Sequence, residues 1–536
     1  MVVIRESVSG LKERFGPEFI VKLKEFSLVI GFSLEIDDDI KVEFNPDRPD
    51  LFSFTTLDHM EKLYYQTKKE EIPTFKSDTG VIRLDPDSRS IRQFIAGFTA
   101  TGNKISEDLD RLIDFQEKLH LSVGRNRKNV SIGIHDASGL KPPFRLEARD
   151  GDSISFETYD GAINGTATEI IRNHPKGREF AHLIPNTGKV AILLDSEGSV
   201  LSMPPIINGS KTLVTQNTSE FLVDITGDSL SSVRSVLYDL AYFFHYLGYS
   251  IKFHFPDKAM EKFFNSFNRR RINLDLDQVR RLIGEDIGAE EVRSLLGRMG
   301  YSLSGGTDLG VLVPGNRSDV MGPVDIIEDI AKAKGYDSII PTQPLIQVIG
   351  RELPARRFQN GVRDLMLGLG FQETLSYVVT SADLYVGSSY GGKVEIENPK
   401  SLDFSVVRDR LYLNLLDFLR LNRSRALPQK VFEIGDIIEN GEQLSHLCIA
   451  SIHNKANYSE ILSIVDYIVM RISGGKPEIW DQGNSHFING RSGSIMVNGK
   501  KAGYLGEVNP ETLVKFDLKS PVIVAEINLD HFMGMM

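Results

Sequence analysis

The stretch VPGNRSDVMGPVDIIEDIAKAKGYDSIIP, residues 313–341, sets the frame for the rest of the chain. Pro323 suits the first turn of a helix, and Ile326, Ile327, Ile330 and Ala331 recur behind it at helical spacing, so a helix with one apolar face is predicted. Asp319, Asp325, Glu328 and Asp329 crowd four carboxylates into eleven residues. The last three stand at i, i+3 and i+4 and share a face, with Asp319 in the loop leading in. Carboxylates so placed repel one another unless something positive lies between them. A hard divalent cation such as Mg2+, which takes oxygen ligands, would serve, and so would Arg or Lys from a partner. The same residues also fit a solvated acidic face whose first-turn acids favour the helix dipole, and spacing alone leaves these readings open.

Just upstream, NRRRINLDLDQVRRLIGEDIGAEEVRSLLGRMGYSLS (residues 268–304) predicts a strand, a helix over Asp277–Ile283 and a second over Ala289–Met299. Both helices end at glycine-containing turns, and a strand over Gly310–Val313 leads into the acidic stretch. Two short helices and a hairpin make a small helix-turn-helix-like unit, a fold analogy that alone says little of function. Arg269 to Arg271, Arg280 and Arg281 are candidate phosphate contacts or a solvated basic face.

A chain of 536 residues predicts about three or four domains. With 41% hydrophobic and 25% charged residues it has the composition of an ordinary globular protein. Residues 1–10 carry Arg5 and Glu6 and no apolar core, and no run approaches the roughly 18 apolar residues of a membrane helix, so a cytoplasmic chain with no membrane partner is expected. The lone Cys448 lies in an apolar run and is expected to be buried. A net charge of −11 excludes a protein that grips nucleic acid over its whole surface; any such contact is local.

Before this unit the chain reads as helix, strand (Ile40 to Phe44), loop and helix, with Phe19, Ile20, Leu23 and Phe26 on the first helix. The loop EFNPDRPDLFS, Glu43 to Ser53, holds two prolines and four charges, which predicts a fixed, turn-rich connection. Then come EKLHLSVGRNRKNVSIGIHD (117–136), HPKGREFAHLI (174–184), LLDSEGSVLSMPPIING (193–209) and FLVDITGD (221–228). Val130 to Ile134 and Lys189 to Leu194 alternate as strands, and Ser229 to Tyr249 reads as one long helix. In this order the strings resemble the beta-subunit family of phenylalanyl-tRNA synthetases, of the archaeal and eukaryotic type.

The resemblance, from about Val42 to Leu529, implies an α+β multidomain chain. Its expected domains are an N-terminal α/β domain over 1–85, an α/β tRNA-editing domain over 86–255, the helix-turn-helix-like domain with its acidic metal cluster over 268–342, and a class II catalytic-like antiparallel sheet over 346–536. An apolar phenylalanine pocket cannot strongly reject an isostere that adds a hydroxyl, so a second, hydrolytic sieve is called for. Asp224 and Thr226 alternate on one strand face, and Ser202 precedes a Pro204-Pro205 turn; the resemblance makes these, with Leu193, the editing pocket. Their plainer alternative is Ser202 and Thr226 satisfying turns and Asp224 pairing with a nearby Arg. Arg125, Arg127 and Lys128 are either tRNA-backbone contacts or a solvated turn, and the scattered His120, His135, His174 and His182 receive no role.

Beyond Arg351 a helix with Phe358, Val362, Leu365 and Leu369 on one face stops at Gly370. Strands are expected over Val394–Glu397, Val431–Ile434, Leu447–Ile452 and VIVAEINL (522–529), a helix over Tyr458–Ile472, and a hairpin turn at Asn498-Gly499. This resembles a degenerate class II synthetase sheet: beyond Arg351 no Phe-Arg-x-Glu or Gly-x-Gly-x-x-Arg string stands to bind ATP, and only Glu433 and Gly490-Arg491 remain as remnants. The family then implies that an alpha subunit performs ATP-dependent activation in a tetramer of two alpha and two beta chains acting on tRNA(Phe). Mg2+ would sit on Asp319, Asp325, Glu328 and Asp329 near the alpha interface. The chain is too short for the oligonucleotide-binding insertion and C-terminal anticodon domain of bacterial relatives. Two rival functions stay open: a non-catalytic scaffold for tRNA and alpha, or a freestanding deacylase.

Overall fold

The first strand, Val2–Ser7, carries no strong signal in the sequence: buried Val2 and Ile4 alternate with less buried residues over six positions only. It pairs antiparallel with Asp39–Phe44, which also pairs with Ser33–Ile36. The helix Phe19–Ile30 buries Phe19, Ile20, Leu23 and Phe26, the stripe its periodicity predicts. In the loop that follows, Arg48 and Asp50 form a buried bidentate ion pair with both N–O distances at 2.8 Å. Such pairing is what permits two charges inside a turn. The computed structural model of the chain describes residues 2–66, 72–304, 309–343, 348–385, 394–481 and 486–533, and it divides into two compact units, Met1–Pro344 and Leu345–Met536.

Two five-stranded sheets occupy the middle of the first unit. One runs in the order Lys76–Thr79, Ser250–Phe255, Phe94–Thr101, Glu220–Gly227, Val130–Asp136. The other runs Ile207–Asn208, Val200–Met203, Lys189–Leu194, Phe144–Asp150, Ile82–Leu84. Alternation along Glu220–Gly227 sends Phe221, Val223 and Ile225 into the main core with the helix Leu230–Tyr246. Leu222, Asp224 and Thr226 take the opposite face, where Leu222 packs with Ile82, Leu146 and Leu193 of the second sheet. The two sheets therefore face each other across a layer that is apolar at one end and polar at the other. The long helix is shorter than the expected span because Gly248, at φ +86°, turns the chain into Ser250–Phe255.

Arg270–Leu274, the helices Leu276–Ile283 and Ala289–Arg298, and the strand Leu309–Val313 lie close to their expected spans. The helix Pro323–Lys334 starts at its proline and buries Ile326, Ile327, Ile330 and Ala331 in the same core as Phe26, Val279 and Leu296.

The second unit is a seven-stranded sheet in the order Gln372–Glu373, Gln429–Glu439, Glu442–Ile452, Val522–Asn528, Lys500–Val508, Phe487–Val497, Glu478–Trp480. Only the first pairing is parallel. The helices Pro354–Gly368 and Tyr458–Ser473 pack on one face and Tyr412–Leu421 on the other. Asn498 and Gly499 both take positive φ, as a two-residue hairpin turn requires. Val394–Glu397 is not a strand: Glu395 makes one isolated bridge to Val406, because Asn398-Pro399 breaks the run. Cys448 is buried. Among the described residues no helix is long and apolar enough to cross a membrane.

Candidate functional site

A cavity of about 570 Å³ opens at the polar end of the layer between the two five-stranded sheets. Ser131, Gly133 and Asp224 line it from one sheet and Ser202 from the other. The turn at Pro204 and Pro205, the helix face of Asp110, Asp114 and Glu117, and the pair Tyr159 and Lys176 complete its rim. Of the four expected pocket residues, Ser202 and Asp224 reach this wall. Leu193 lies across from Ser202 in register, fully buried in the apolar layer, and Thr226 is buried two positions beyond Asp224 on the same face. Both stand behind the wall.

The polar groups here are unevenly satisfied. Ser202 Oγ and Thr226 Oγ1 are buried without a hydrogen-bond partner among the described residues. A buried hydroxyl with no partner is costly, and a ligand that supplies the partner removes that cost. Among the described residues Asp224, 1% exposed, pairs with no Arg; its Oδ2 lies 2.8 Å from His135 Nε2. His135 Nδ1 in turn lies 2.8 Å from Thr212 Oγ1.

Arg127 is neither a free phosphate contact nor part of a solvated turn. It is buried, donates from Nη1 to the carbonyls of Pro205 (3.3 Å) and Ile206 (3.0 Å), and stacks 4.5 Å from the Phe180 ring centroid. Its Nη2 donates to Glu117 Oε1 at 3.1 Å. Burial opposes ionisation of Glu117, but His120 and Arg127 outweigh it and hold the carboxyl at about 2. Arg127 thus pins the proline turn to the helix wall, while Arg125 and Lys128 beside it stay exposed. His120 and His174 face Glu117 and Asp160, in keeping with structural roles.

The acidic stretch divides in two. Buried Arg317 donates through Nη2 to Asp319 Oδ2 and to Asp329 Oδ2, each at 2.7 Å, and its guanidinium lies 5.2 Å from the Tyr301 ring. The Tyr301 hydroxyl donates to Asp329 Oδ2 at 2.5 Å. Burial opposes ionisation of Asp319, yet Arg317 prevails and holds it at about 2. Asp325 Oδ2 accepts from the amides of Met321 and Gly322 at 2.7 and 2.8 Å, capping its own helix. Glu328, 55% exposed, pairs with Lys332 one turn on. Among the described residues no three His, Cys, Asp or Glu side chains gather as a metal cage. Of the four residues expected at a metal, Asp319 and Asp329 are neutralised by Arg317. Asp325, engaged through Oδ2 alone, and Glu328 are the pair left open to a cation, since an i, i+4 ion pair whose carboxylate is 55% exposed yields readily. Asp239 on the long helix adjoins this cluster; burial pushes its carboxyl well above the usual range, with the charge of Asp50 adding.

In the second unit the remnants are occupied by internal partners. Glu433 Oε1 accepts from Arg408 at 2.6 Å, both buried, and Arg491 pairs with Glu507 at 2.9 Å. Glu526, buried at the sheet centre, accepts from the Tyr504 hydroxyl (2.7 Å) and from the amides of Leu411 and Tyr412 (3.0 Å).

Residues 339–529 match the family model of the phenylalanyl tRNA synthetase beta chain CLM domain, and residues 272–336 that of the tRNA synthetase B5 domain. The chain is 40% identical over 539 residues to the phenylalanine--tRNA ligase beta subunit of Thermoplasma volcanium, covering 99% of each. It is 38% identical over 546 residues to that of Thermoplasma acidophilum, covering 99% of this chain and 98% of the relative. Among solved structures, an N-terminal fragment of the phenylalanyl-tRNA synthetase beta-subunit from Pyrococcus horikoshii aligns with a TM-score of 0.56 and 28% identity. The match covers 62% of this chain and all of that fragment.

Proposed function

From the premise that the chain belongs to the phenylalanine--tRNA ligase beta-subunit family, we propose that it hydrolyses tyrosyl-tRNA(Phe) in the cavity between its two five-stranded sheets. It does so in a cytoplasmic complex of two alpha and two beta chains, in which alpha carries out the ATP-dependent attachment of phenylalanine. The observation that carries this reading is the cavity itself. Its volume of about 570 Å³ falls in the range of small-molecule sites. A buried carboxylate, Asp224, and an unpartnered buried hydroxyl, Ser202, meet there on opposite sheets. A site that separates tyrosine from phenylalanine must pair with one hydroxyl and suffer when it is absent, and buried polar groups awaiting a partner have that property. A scaffold that only binds tRNA and alpha gives no reason for them.

Asp325 and Glu328 would hold a hard divalent cation, with water and oxygens of the alpha chain as further ligands; the cation would supply positive charge where two chains meet. Arg317 already pairs with Asp319 and Asp329.

The test is co-purification with alpha, then hydrolysis of tyrosyl-tRNA(Phe) by the complex and by this chain alone. In the complex, Asp224→Ala with Thr226→Ala should abolish that hydrolysis and leave phenylalanine charging intact. Survival of both activities would show that the pocket lies elsewhere.

A further inference from the structure

The sequence singles out Asp224 but not what holds it. Resting on the editing reading above, we propose that His135 is a positioning residue: braced by Thr212, it fixes the Asp224 carboxylate so that one oxygen receives a single hydroxyl from the amino-acid side chain of the substrate.

Strand register builds the slot. Asp224 stands directly opposite Gly133 on the neighbouring strand, and His135 follows two positions later on the same face. A Cβ at Gly133 would lie 2.0 Å from Asp224 Oδ2 and 2.7 Å from His135 Nε2, so the carboxylate and ring meet only because that position has no side chain. A carboxylate is an acceptor, so Nε2 carries the proton and donates to Oδ2. Nδ1 is then the acceptor, and the Thr212 hydroxyl donates to it at 2.8 Å in preference to the Gly209 carbonyl at 3.4 Å. With Nε2 donating and Nδ1 accepting, the chain of donors runs one way, Thr212 to His135 to Asp224.

Both side chains at the centre are buried, His135 completely. Oδ2 is committed to the ring, and Oδ1 carries no hydrogen bond among the described residues, which leaves one fixed acceptor at the cavity wall. A phenolic O–H satisfies it. A phenylalanyl ester leaves it desolvated and unpaired, and that difference is the discrimination. Without the brace the carboxylate has other orientations, including ones that serve either ester equally.

The assay is single-turnover hydrolysis of tyrosyl-tRNA(Phe) and phenylalanyl-tRNA(Phe) by the complex with alpha. Circular dichroism melting and phenylalanine charging report on folding. His135→Gln should lower the ratio of tyrosyl to phenylalanyl hydrolysis about tenfold or more, as expected when a hydroxyl-sensing group loses its orientation. Thr212→Val should shift the ratio the same way, while Thr212→Ser, which keeps the donor, should restore it. A merely structural role would slow both esters alike. An unchanged ratio in His135→Gln and Thr212→Val, with wild-type hydrolysis of tyrosyl-tRNA proceeding, overturns the positioning role and leaves the editing reading standing. Absence of that hydrolysis in the wild-type complex overturns both.

Discussion

Replacing Arg317 with Met tests the assignment of the acidic stretch most sharply. The guanidinium is 4% exposed and touches Asp319 and Asp329 at 2.7 Å, so its loss strands one carboxylate that is 4% exposed and one that is 20% exposed. Removing one partner of a buried ion pair costs roughly 3–5 kcal/mol, because an uncompensated charge remains. Urea unfolding followed by far-UV circular dichroism reads this directly. At a slope near 3 kcal/mol per molar urea, the midpoint should fall by about 1–1.7 M. The sole tryptophan, Trp480, lies in the other unit, and its fluorescence tracks that unit separately. Adding Asp319→Asn and Asp329→Asn to the variant should recover most of the loss, since neutralising a whole buried cluster is far milder than halving it. Two results would refute the reasoning. One is a loss below about 1 kcal/mol. The other is a wild-type midpoint that falls as far in chelator as Arg317→Met does, which would make a bound cation the counter-charge.

Two further expectations come from buried groups with no good partner. Ser202→Ala removes a hydroxyl satisfied only when ligand is present, so tyrosyl-tRNA hydrolysis should drop about fivefold while the melting temperature holds or rises slightly. A fall in both would mean that Ser202 supports the fold and not the ligand. Glu61 is pushed up to about 8, by burial first and then by the charge of Asp58. Its folded value exceeds the unfolded one of 4.5, so the folded chain holds a proton the unfolded chain releases. Its share of stability is complete below 4.5 and erodes as pH rises towards about 8. Glu61→Gln should therefore raise the melting temperature more at about pH 9 than at about pH 5; an equal gain at both would discard this account.

Elements with a strong period or a capping signal were legible in the sequence. Lys189–Leu194 and the helix beginning at Pro323 lie where alternation and proline position put them. The strand Val2–Ser7 was not, because its partner lies more than thirty residues on and six positions carry little pattern alone. Asn440-Gly441, with both φ values positive, closes the hairpin of Gln429–Glu439 and Glu442–Ile452, and it carries the same signal that was read at Asn498-Gly499. The site was half legible. Ser202 and Asp224 reach the cavity, whereas Leu193 and Thr226 lie behind it, since strand alternation says which face a residue takes and not where on that face a cavity opens.

What spacing cannot supply is the counter-group, and the counter-group decides what a carboxylate does. Asp319, Asp325, Glu328 and Asp329 look alike along the chain. The fold gives the first and last an arginine from the loop, the second the amides of its own helix start, and the third only a lysine one turn on. The first arrangement neutralises its acids, the second engages only Oδ2 of Asp325, and the last leaves an acid to be claimed from outside. Asp224 follows the same rule. Its partner His135 is eighty-nine positions away and is brought to it by strand register and by the missing side chain of Gly133. Gly133 is therefore as much a part of that carboxylate's chemistry as the histidine. Among the residues of the cavity wall, it is the one whose replacement by alanine, which adds no polar atom, displaces the central acid by steric contact alone.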